Sequence, residues 1–256
     1  MAFYDHYDYQ RYWRGREYEH EAETLALKRL FAQIPLKKQK TLLDIGAGFG
    51  RITPFYADKF SFCLLVEPAK RLINQAKKNL KYQNLKFKQG QAENLELSEK
   101  FDVVLFIRVA HHIKNLDLVL KNINHHLKSD GYLILEFANK INFKAKIKAI
   151  FRGNFSFLKE ESPYDRRSPA NLNQETILFL NHHPKKINQS LKRSDFEIID
   201  RLSVSNFRLP ILKKIIPTGI LLWGEKLFQP ILAKINFGPS IFLLAKVHKS
   251  HKYKTK

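Results

Sequence analysis

The feature that most constrains this chain is a short apolar segment that runs into three closely spaced glycines. Residues 41–45, Thr-Leu-Leu-Asp-Ile, are followed directly by Gly46, Gly48 and Gly50. A short apolar run of this kind is typical of a buried parallel strand. The glycines permit a sharp turn and let a ligand approach the backbone, because they carry no Cβ. The sequence therefore predicts a strand, a binding loop and a helix, in that order.

Strand-like and helix-like segments alternate from this loop to Phe137. Further strands are predicted at 62–67, 85–89, 101–107 and 132–137, and helices at 17–33, 51–60, 68–80 and 116–128, the third with Pro68 at its first position. Such alternation favours one parallel sheet with helices on both faces.

Beyond Phe137 the alternation is interrupted. Residues 139–184 and 206–239 look like insertions, whereas a helix is expected at 184–195 and strands at 196–204 and 240–248. We divide the chain into an N-terminal arm and helix covering the site (1–36), a binding core (37–138) and the remainder of the same fold (139–256). The longest uncharged run in the second insertion, from Ile215 to Gly224, is far short of the ~20 residues that span a bilayer.

An acidic residue marks the end of the second predicted strand. Glu67 stands where a carboxylate accepts hydrogen bonds from ribose hydroxyls in nucleotide-binding α/β units. A glycine loop with such an acid also suits a dinucleotide-dependent dehydrogenase. That alternative is disfavoured because the chain offers no second nucleotide half and no obvious hydride-acceptor site.

Five segments in succession resemble the motifs of class I S-adenosylmethionine-dependent methyltransferases of the type 11/25-like group. They are LLDIGAGFGR, LLVEPAKRLINQAKKN, FKQGQAENLEL, FDVVLFIRVAHHI and LKSDGYLILEF, and together they cover about residues 41–137. The resemblance implies an α/β fold with a Rossmann-like, doubly wound, seven-stranded and mostly parallel sheet that carries helical insertions. It implies S-adenosyl-L-methionine as the cofactor.

The same resemblance implies roles for individual residues. Asp44, Gly46 and Gly48 would line the methionine side of the cofactor, Glu67 would hold the ribose diol, and Ala92 with a neighbouring side chain would meet the adenine. The family usually has an acid where this chain has Gln91, whose amide oxygen can still accept from the adenine amino group. The full predicted cofactor set is Arg16, Asp44, Gly46, Ala47, Gly48, Glu67, Pro68, Gln91, Ala92, Glu93, Ile107 and Arg108.

Two regions are candidates for the reacting end. His111 or His112, after the fourth strand, is predicted as a general base, with a structural hydrogen-bonding role as the alternative. The aromatic and cationic segment 7–18 is predicted to close over the cofactor, with Arg16 on the methionine carboxylate and Tyr12 or Trp13 over the sulfonium. Its alternative is ordinary packing of an N-terminal arm.

The acceptor is less constrained than the donor. An Asn/Asp-Pro-Pro-Tyr/Phe segment, which amino-directed methyltransferases carry after the fourth strand, is missing from the sequence, and Cys63 lies away from the expected acceptor side. A small-molecule or lipid-linked acceptor is predicted. RNA methylation and a degenerate cofactor-binding protein are the alternatives.

Charge and histidine content bear on the partners. The chain has 45 Lys+Arg against 24 Asp+Glu, a formal net charge of +21, which attracts anionic partners such as acidic lipid or nucleic acid. Contact of residues 210–239 with a membrane surface is one interpretation of that region, and a pair of helices finishing the core is the other. The pairs His125-His126 and His182-His183 lack accompanying cysteines or carboxylates, so no metal site is predicted. The single Cys63 and the sequence of the first residues favour a cytoplasmic location.

Overall fold

A seven-stranded sheet forms the centre of the computed structural model, which describes residues 9–35, 40–167 and 177–248. Its strands are β1 (Thr41–Ile45), β2 (Phe62–Glu67), β3 (Leu85–Gln89), β4 (Phe101–Phe106), β5 (Leu127–Ala138), β8 (Phe196–Val204) and β9 (Ser240–Val247). A separate two-stranded ribbon pairs β6 (Tyr164–Asp165) with β7 (Leu180–Asn181). The predicted α/β fold with a mostly parallel seven-stranded sheet is confirmed.

The strand order is β3-β2-β1-β4-β5-β9-β8. Strands β1 to β5 pair in parallel, and β9 runs antiparallel to both β5 and β8. The order reverses at β1, which lies between β2 and β4. Ligands of open α/β sheets bind at the carboxyl ends of the strands beside such a reversal, so the end of β1 is the expected site.

The helices of the described residues flank this sheet. They are α1 (Tyr9–Trp13), α2 (Glu17–Phe31), α3 (Thr53–Tyr56), α4 (Lys70–Asn79), α5 (Leu116–His125), α6 (Phe143–Phe151), α7 (Ser156–Lys159), α8 (Pro184–Arg193), α9 (Pro210–Ile215) and α10 (Thr218–Lys234). Side chains cap the start of three of them. Asn115 accepts from the Leu118 N–H, Asn142 from the Ala145 N–H and His183 from the Lys185 N–H.

Both faces of the sheet are buried. Neighbouring strand residues point to opposite faces, so Leu42 contributes to the apolar cluster on one side and Leu43 to that on the other. Helix α2 covers the first side with residues such as Leu27, and α5 and α8 cover the second. This two-sided burial explains why the strands appear in the sequence as continuous apolar runs.

Several element boundaries differ from the sequence expectation. Pro68 precedes α4, which begins at Lys70, because the Glu67 side chain accepts from the Ala69 N–H and holds the connection extended. The predicted helix 51–60 consists of α3 and a 3-10 turn at Ala57–Lys59. The helix predicted at 116–128 ends at His125, since β5 already begins at Leu127.

The second insertion completes the core with one of its faces. Helix α10 packs on α2 and β8. Its buried Glu225 accepts from the Tyr18 hydroxyl and from Asn206, so the carboxylate is satisfied inside the protein. The interpretation as helices finishing the core holds for this face, while the opposite face is exposed. No helix in the described ranges is long and apolar enough to cross a membrane.

Candidate active site

The glycine loop after β1 has the backbone conformation that its sequence suggested. Gly46, Gly48 and Gly50 all have positive φ, at 80°, 59° and 79°. A Cβ on Gly46 would lie 2.2 Å from the Cγ2 atom of Val109, so a larger residue does not fit without movement. The Gly46 and Ala47 N–H groups both donate to the Val66 carbonyl, at 2.8 and 3.1 Å, which fixes the loop to β2.

Glu67 is held against this loop by backbone hydrogen bonds. One carboxylate oxygen accepts from the Gly48 N–H and the other from the Ala69 N–H, each at 3.0 Å. The residue is buried at the end of β2. The carboxylate is therefore fixed in position by the two loops that follow β1 and β2.

A cleft of about 350 Å³ opens over the glycine loop, within the size range of small-molecule sites. Nine of the predicted site residues line it, namely Gly46, Gly48, Glu67, Pro68, Gln91, Ala92, Glu93, Arg108 and His112. Asp44, Ala47 and Ile107 line a smaller adjoining pocket of about 30 Å³. Neither Arg16 nor His111 is among the described residues that line these two spaces.

Asp44 lies at the closed end of this site. Its carboxylate accepts a hydrogen bond of 2.6 Å from the Tyr56 hydroxyl. Burial raises the pKa of Asp44 to about 6, although the Tyr56 hydrogen bond and the charge of Arg51 act in the opposite direction. The carboxylate is thus ionised at neutral pH but close to its titration range.

A buried ion cluster borders the smaller pocket through Arg51 and Arg108. Glu23 of α2 accepts from Arg51 at 2.6 Å and from the Arg108 Nε at 2.7 Å. Burial opposes ionisation of Glu23, but the two arginines outweigh it and lower its pKa. Both guanidinium groups lie over the Trp13 ring, 3.5 and 4.6 Å from its centroid. Trp13 thus packs on protein cations, and Arg108 is oriented by Glu23.

Arg16 lies elsewhere. Its guanidinium is 4.1 Å from the centroid of the Tyr12 ring, and the residue precedes α2. Its contact with the cofactor carboxylate stays a prediction, whereas Arg51 and Arg108 are the cations that reach the pocket walls. The N-terminal arm still contributes to the site, because Tyr9 lines both spaces and packs edge-on against Phe49.

The two predicted histidines have different surroundings. The Nδ1 atom of His112 is 2.7 Å from the Leu178 carbonyl oxygen. A carbonyl only accepts, so Nδ1 carries the proton and Nε2 is the unprotonated nitrogen of the neutral ring. Burial lowers the pKa of His112, so this neutral form prevails at neutral pH.

His111 is enclosed beneath its neighbour. Its ring centroid lies 4.0 Å from that of His112 and 4.5 Å from that of Phe179. Its Nδ1 atom has no hydrogen-bond partner among the described residues. Burial lowers the pKa of His111 well below its ordinary value. Between the two, His112 is the one that lines the cleft.

The other histidine pairs have backbone partners. The Nε2 atom of His126 is 2.9 Å from the Leu95 carbonyl oxygen, and that of His182 is 3.0 Å from the Ala110 carbonyl oxygen. In the described ranges no group of three His, Cys, Asp or Glu side chains is arranged to hold a metal ion.

Sequence reasoning missed several residues that shape the site. Arg51 follows Gly50 directly and could have been noticed as a cation at the binding loop. Nothing in the sequence marked Glu23, which is 85 positions from its partner Arg108. The remaining missed residues line the cleft and are mostly apolar, namely Tyr9, Ile45, Leu72, Gly90, Val109, Ile113 and Ile177.

Comparison with known proteins agrees with this geometry. Residues 43–135 match the family model described as a methyltransferase domain. (S)-coclaurine N-methyltransferase of Papaver somniferum is 31% identical over 121 residues, which are 45% of this chain and 34% of that protein. Ubiquinone biosynthesis O-methyltransferase of Pelagibacter ubique is 32% identical over 108 residues, 41% of this chain and 45% of that protein.

The fold has a counterpart among solved structures. An S-adenosylmethionine-dependent methyltransferase from Mesorhizobium loti has a TM-score of 0.59 at 13% identity, covering 87% of this chain and 97% of that one. The chain spans less than half the length of the two curated relatives. The family-model match covers the glycine loop, Glu67 and the strands around them. Residues 43–135 therefore match the methyltransferase domain family, and the fold of the chain is similar to that of a solved S-adenosylmethionine-dependent methyltransferase.

Proposed function

We propose that this protein transfers the methyl group of S-adenosyl-L-methionine to a small-molecule acceptor. The observation that carries the proposal is a single cleft lined by the glycine loop, the fixed Glu67 carboxylate and His112. The relatives support it, since one is a coclaurine N-methyltransferase and another is a ubiquinone biosynthesis O-methyltransferase.

The residues present fit the family's cofactor. Gly46 leaves room where a Cβ would collide with Val109. The Gly48 and Ala69 N–H groups hold the Glu67 carboxylate at the cleft, and a carboxylate is the group that accepts from a ribose diol. In this proposal Asp44 faces the ammonium group at the amino acid end of the cofactor, and Gln91 and Ala92 lie beside its adenine. Arg108 lies close enough to the cleft to attract a carboxylate, although Glu23 already shares its charge.

The cofactor supplies a methyl group on a positively charged sulfur. The acceptor nitrogen or oxygen would use its lone pair to bond to the methyl carbon. The electron pair of the broken carbon–sulfur bond would stay on the sulfur. An acceptor that carries a proton must lose it. We assign that proton to Nε2 of His112, which lines the cleft and is the unprotonated nitrogen of the neutral ring.

Substitution of His112 tests the assignment. A general base typically contributes about 10²- to 10⁴-fold to a rate, so His112→Gln should lower kcat by that factor for a protonated acceptor while cofactor affinity is retained. His125→Gln is the matched control, because that histidine is exposed on α5. The parent's rate should fall as the pH drops below the lowered His112 pKa, since only the neutral ring accepts a proton. An unchanged kcat in His112→Gln would remove the base from the mechanism.

The function itself is tested in two stages. Calorimetry first measures binding of S-adenosylmethionine to the purified chain, and transfer of a labelled methyl group is then followed with pools of small amines and phenols. Transfer to one of these pools is the expected result. Binding without transfer to any metabolite, lipid or RNA fraction would instead favour a cofactor-binding protein without activity. Transfer confined to RNA would favour the RNA alternative, which stays a prediction.

A further inference from the structure

Helix α10 has one buried face and, opposite it, an exposed apolar face. Leu221, Glu225, Gln229 and Ala233 form the buried face, at a spacing of four residues. The opposite face carries a row of large side chains whose exposed fractions are 59% for Ile220, 63% for Trp223, 46% for Leu227 and 57% for Ile231. A row of exposed apolar side chains of this length on a protein surface indicates an interaction site.

Helix α6 carries a second set of exposed apolar side chains. Its Phe143, Ile147, Ile150 and Phe151 are exposed by 49%, 38%, 52% and 86%. The helix lies beside the end of α10, because the Phe143 ring stacks on Phe237 at 4.7 Å and the Lys146 Nζ donates to the Ile235 carbonyl at 2.6 Å. We call the exposed apolar side chains of α6 and α10 the apolar surface.

The exposed charges on the two helices themselves have one sign. The exposed ionisable side chains of the two helices are lysines, Lys144 and Lys148 on α6 and Lys226 and Lys234 on α10. The only carboxyl group on either helix is that of Glu225, which is fully buried. A second copy of this chain docking through the same surface would bring like charges together. An anionic occupant would meet complementary charge instead.

We propose that the apolar surface docks on an anionic lipid bilayer. The aromatic and aliphatic side chains enter the boundary between headgroups and acyl chains, Trp223 favours that depth, and the lysines meet the phosphates. Docking is peripheral and lies in the plane of the membrane. It is independent of methyl transfer, so it stands or falls separately from the proposed function.

Flotation of the purified full chain with vesicles tests the proposal. Neutral phosphatidylcholine vesicles are compared with vesicles containing about one third phosphatidylglycerol, at low and high salt. Trp223→Gln and Ile231→Gln remove apolar side chains, and Lys144→Gln with Lys148→Gln removes charge. The matched controls are Leu118→Gln, an exposed leucine on α5, and Lys121→Gln on the same helix.

The parent should float with the anionic vesicles only, and less at high salt. Each apolar substitution should weaken binding about tenfold or more, and each lysine substitution about fivefold, while both controls bind as the parent does. Bromine-labelled acyl chains should quench the parent's fluorescence, and the quenching should be lost in Trp223→Gln.

Three results would overturn the proposal. The first is a parent that fails to float with anionic vesicles at low salt. The second is equal binding by the parent, Trp223→Gln and Ile231→Gln. The third is a dimer, seen by light scattering, that the same two substitutions dissociate, because a second copy would then cover the surface.

Discussion

Replacement of Glu67 by glutamine is the sharpest perturbation of the cofactor site. In the parent, each carboxylate oxygen accepts one backbone N–H, from Gly48 and from Ala69. An amide has only one oxygen, so one N–H would face a donor instead of an acceptor. The substitution also removes the negative charge that strengthens hydrogen bonds from a ribose diol.

The magnitude follows from these contacts. A hydrogen bond to a charged group contributes about 1.5–3 kcal/mol. Loss of one such bond to the cofactor therefore corresponds to about a 10- to 140-fold increase in Kd, since about 1.4 kcal/mol changes a binding constant tenfold. The unmatched backbone N–H should cost about 1–3 kcal/mol of folding stability, because it lies in a buried loop.

Calorimetry of cofactor binding and urea denaturation separate these two effects. Glu96→Gln is the matched control, because Glu96 lies in the nearby loop but does not line the cleft. The expected result is a large rise in Kd for Glu67→Gln at a pH and temperature where the variant is still folded, and no change for the control. If Glu67→Gln bound the cofactor within about twofold of the parent, the assignment of this carboxylate to the ribose would be refuted.

Three further predictions follow from the site. Gly46→Ala should weaken cofactor binding at least about tenfold, because φ at this position is 80° and the added Cβ would lie 2.2 Å from Val109. Gly219→Ala, which has open space around it, should bind the cofactor as the parent does. Equal affinities of the two variants would contradict the steric role of Gly46. Glu23→Gln should cost about 3–5 kcal/mol in urea denaturation, since it leaves Arg51 and Arg108 without their buried partner, and an effect no larger than that of the exposed Glu21→Gln would contradict it. Cofactor affinity should fall as the pH drops through about 6, because protonation of Asp44 removes the charge that attracts the cationic ligand. In Asp44→Asn, calorimetry should show an affinity that does not change with pH over this range. An affinity that still falls with pH in that variant would assign the titration to another group.

The ionised groups also make the stability depend on pH. The folded-state pKa of Glu23 is lowered, so its contribution is present above the unfolded value and is lost as the pH falls through the folded one. Asp44 behaves in the opposite way, because its folded-state pKa is raised. Its contribution is present at low pH and is lost as the pH rises through about 6.

The strands and the glycine loop were predictable because their signals are local. Residues 41–45 and 62–67 are continuous apolar runs, and β1 and β2 have those same bounds. Gly46 has positive φ, which glycine adopts without steric cost. Glu67 was predicted as a site residue from its place at the end of the second strand. The predicted start of α4 was wrong. Proline at 68 suits a first helical position, but the Glu67 side chain accepts from the Ala69 N–H, and the helix begins at Lys70.

The sequence by itself determined the strands, the glycine loop and the acid at the end of the second strand, because continuous apolar runs and glycine turns are local features of the chain. Only the tertiary structure decided that Glu23 pairs with Arg51 and Arg108, that His112 lines the cleft while His111 lies beneath it, and that one face of α10 stays exposed. These features join residues distant in sequence, and burial in a shared environment, not local pattern, sets their charge, orientation and exposure.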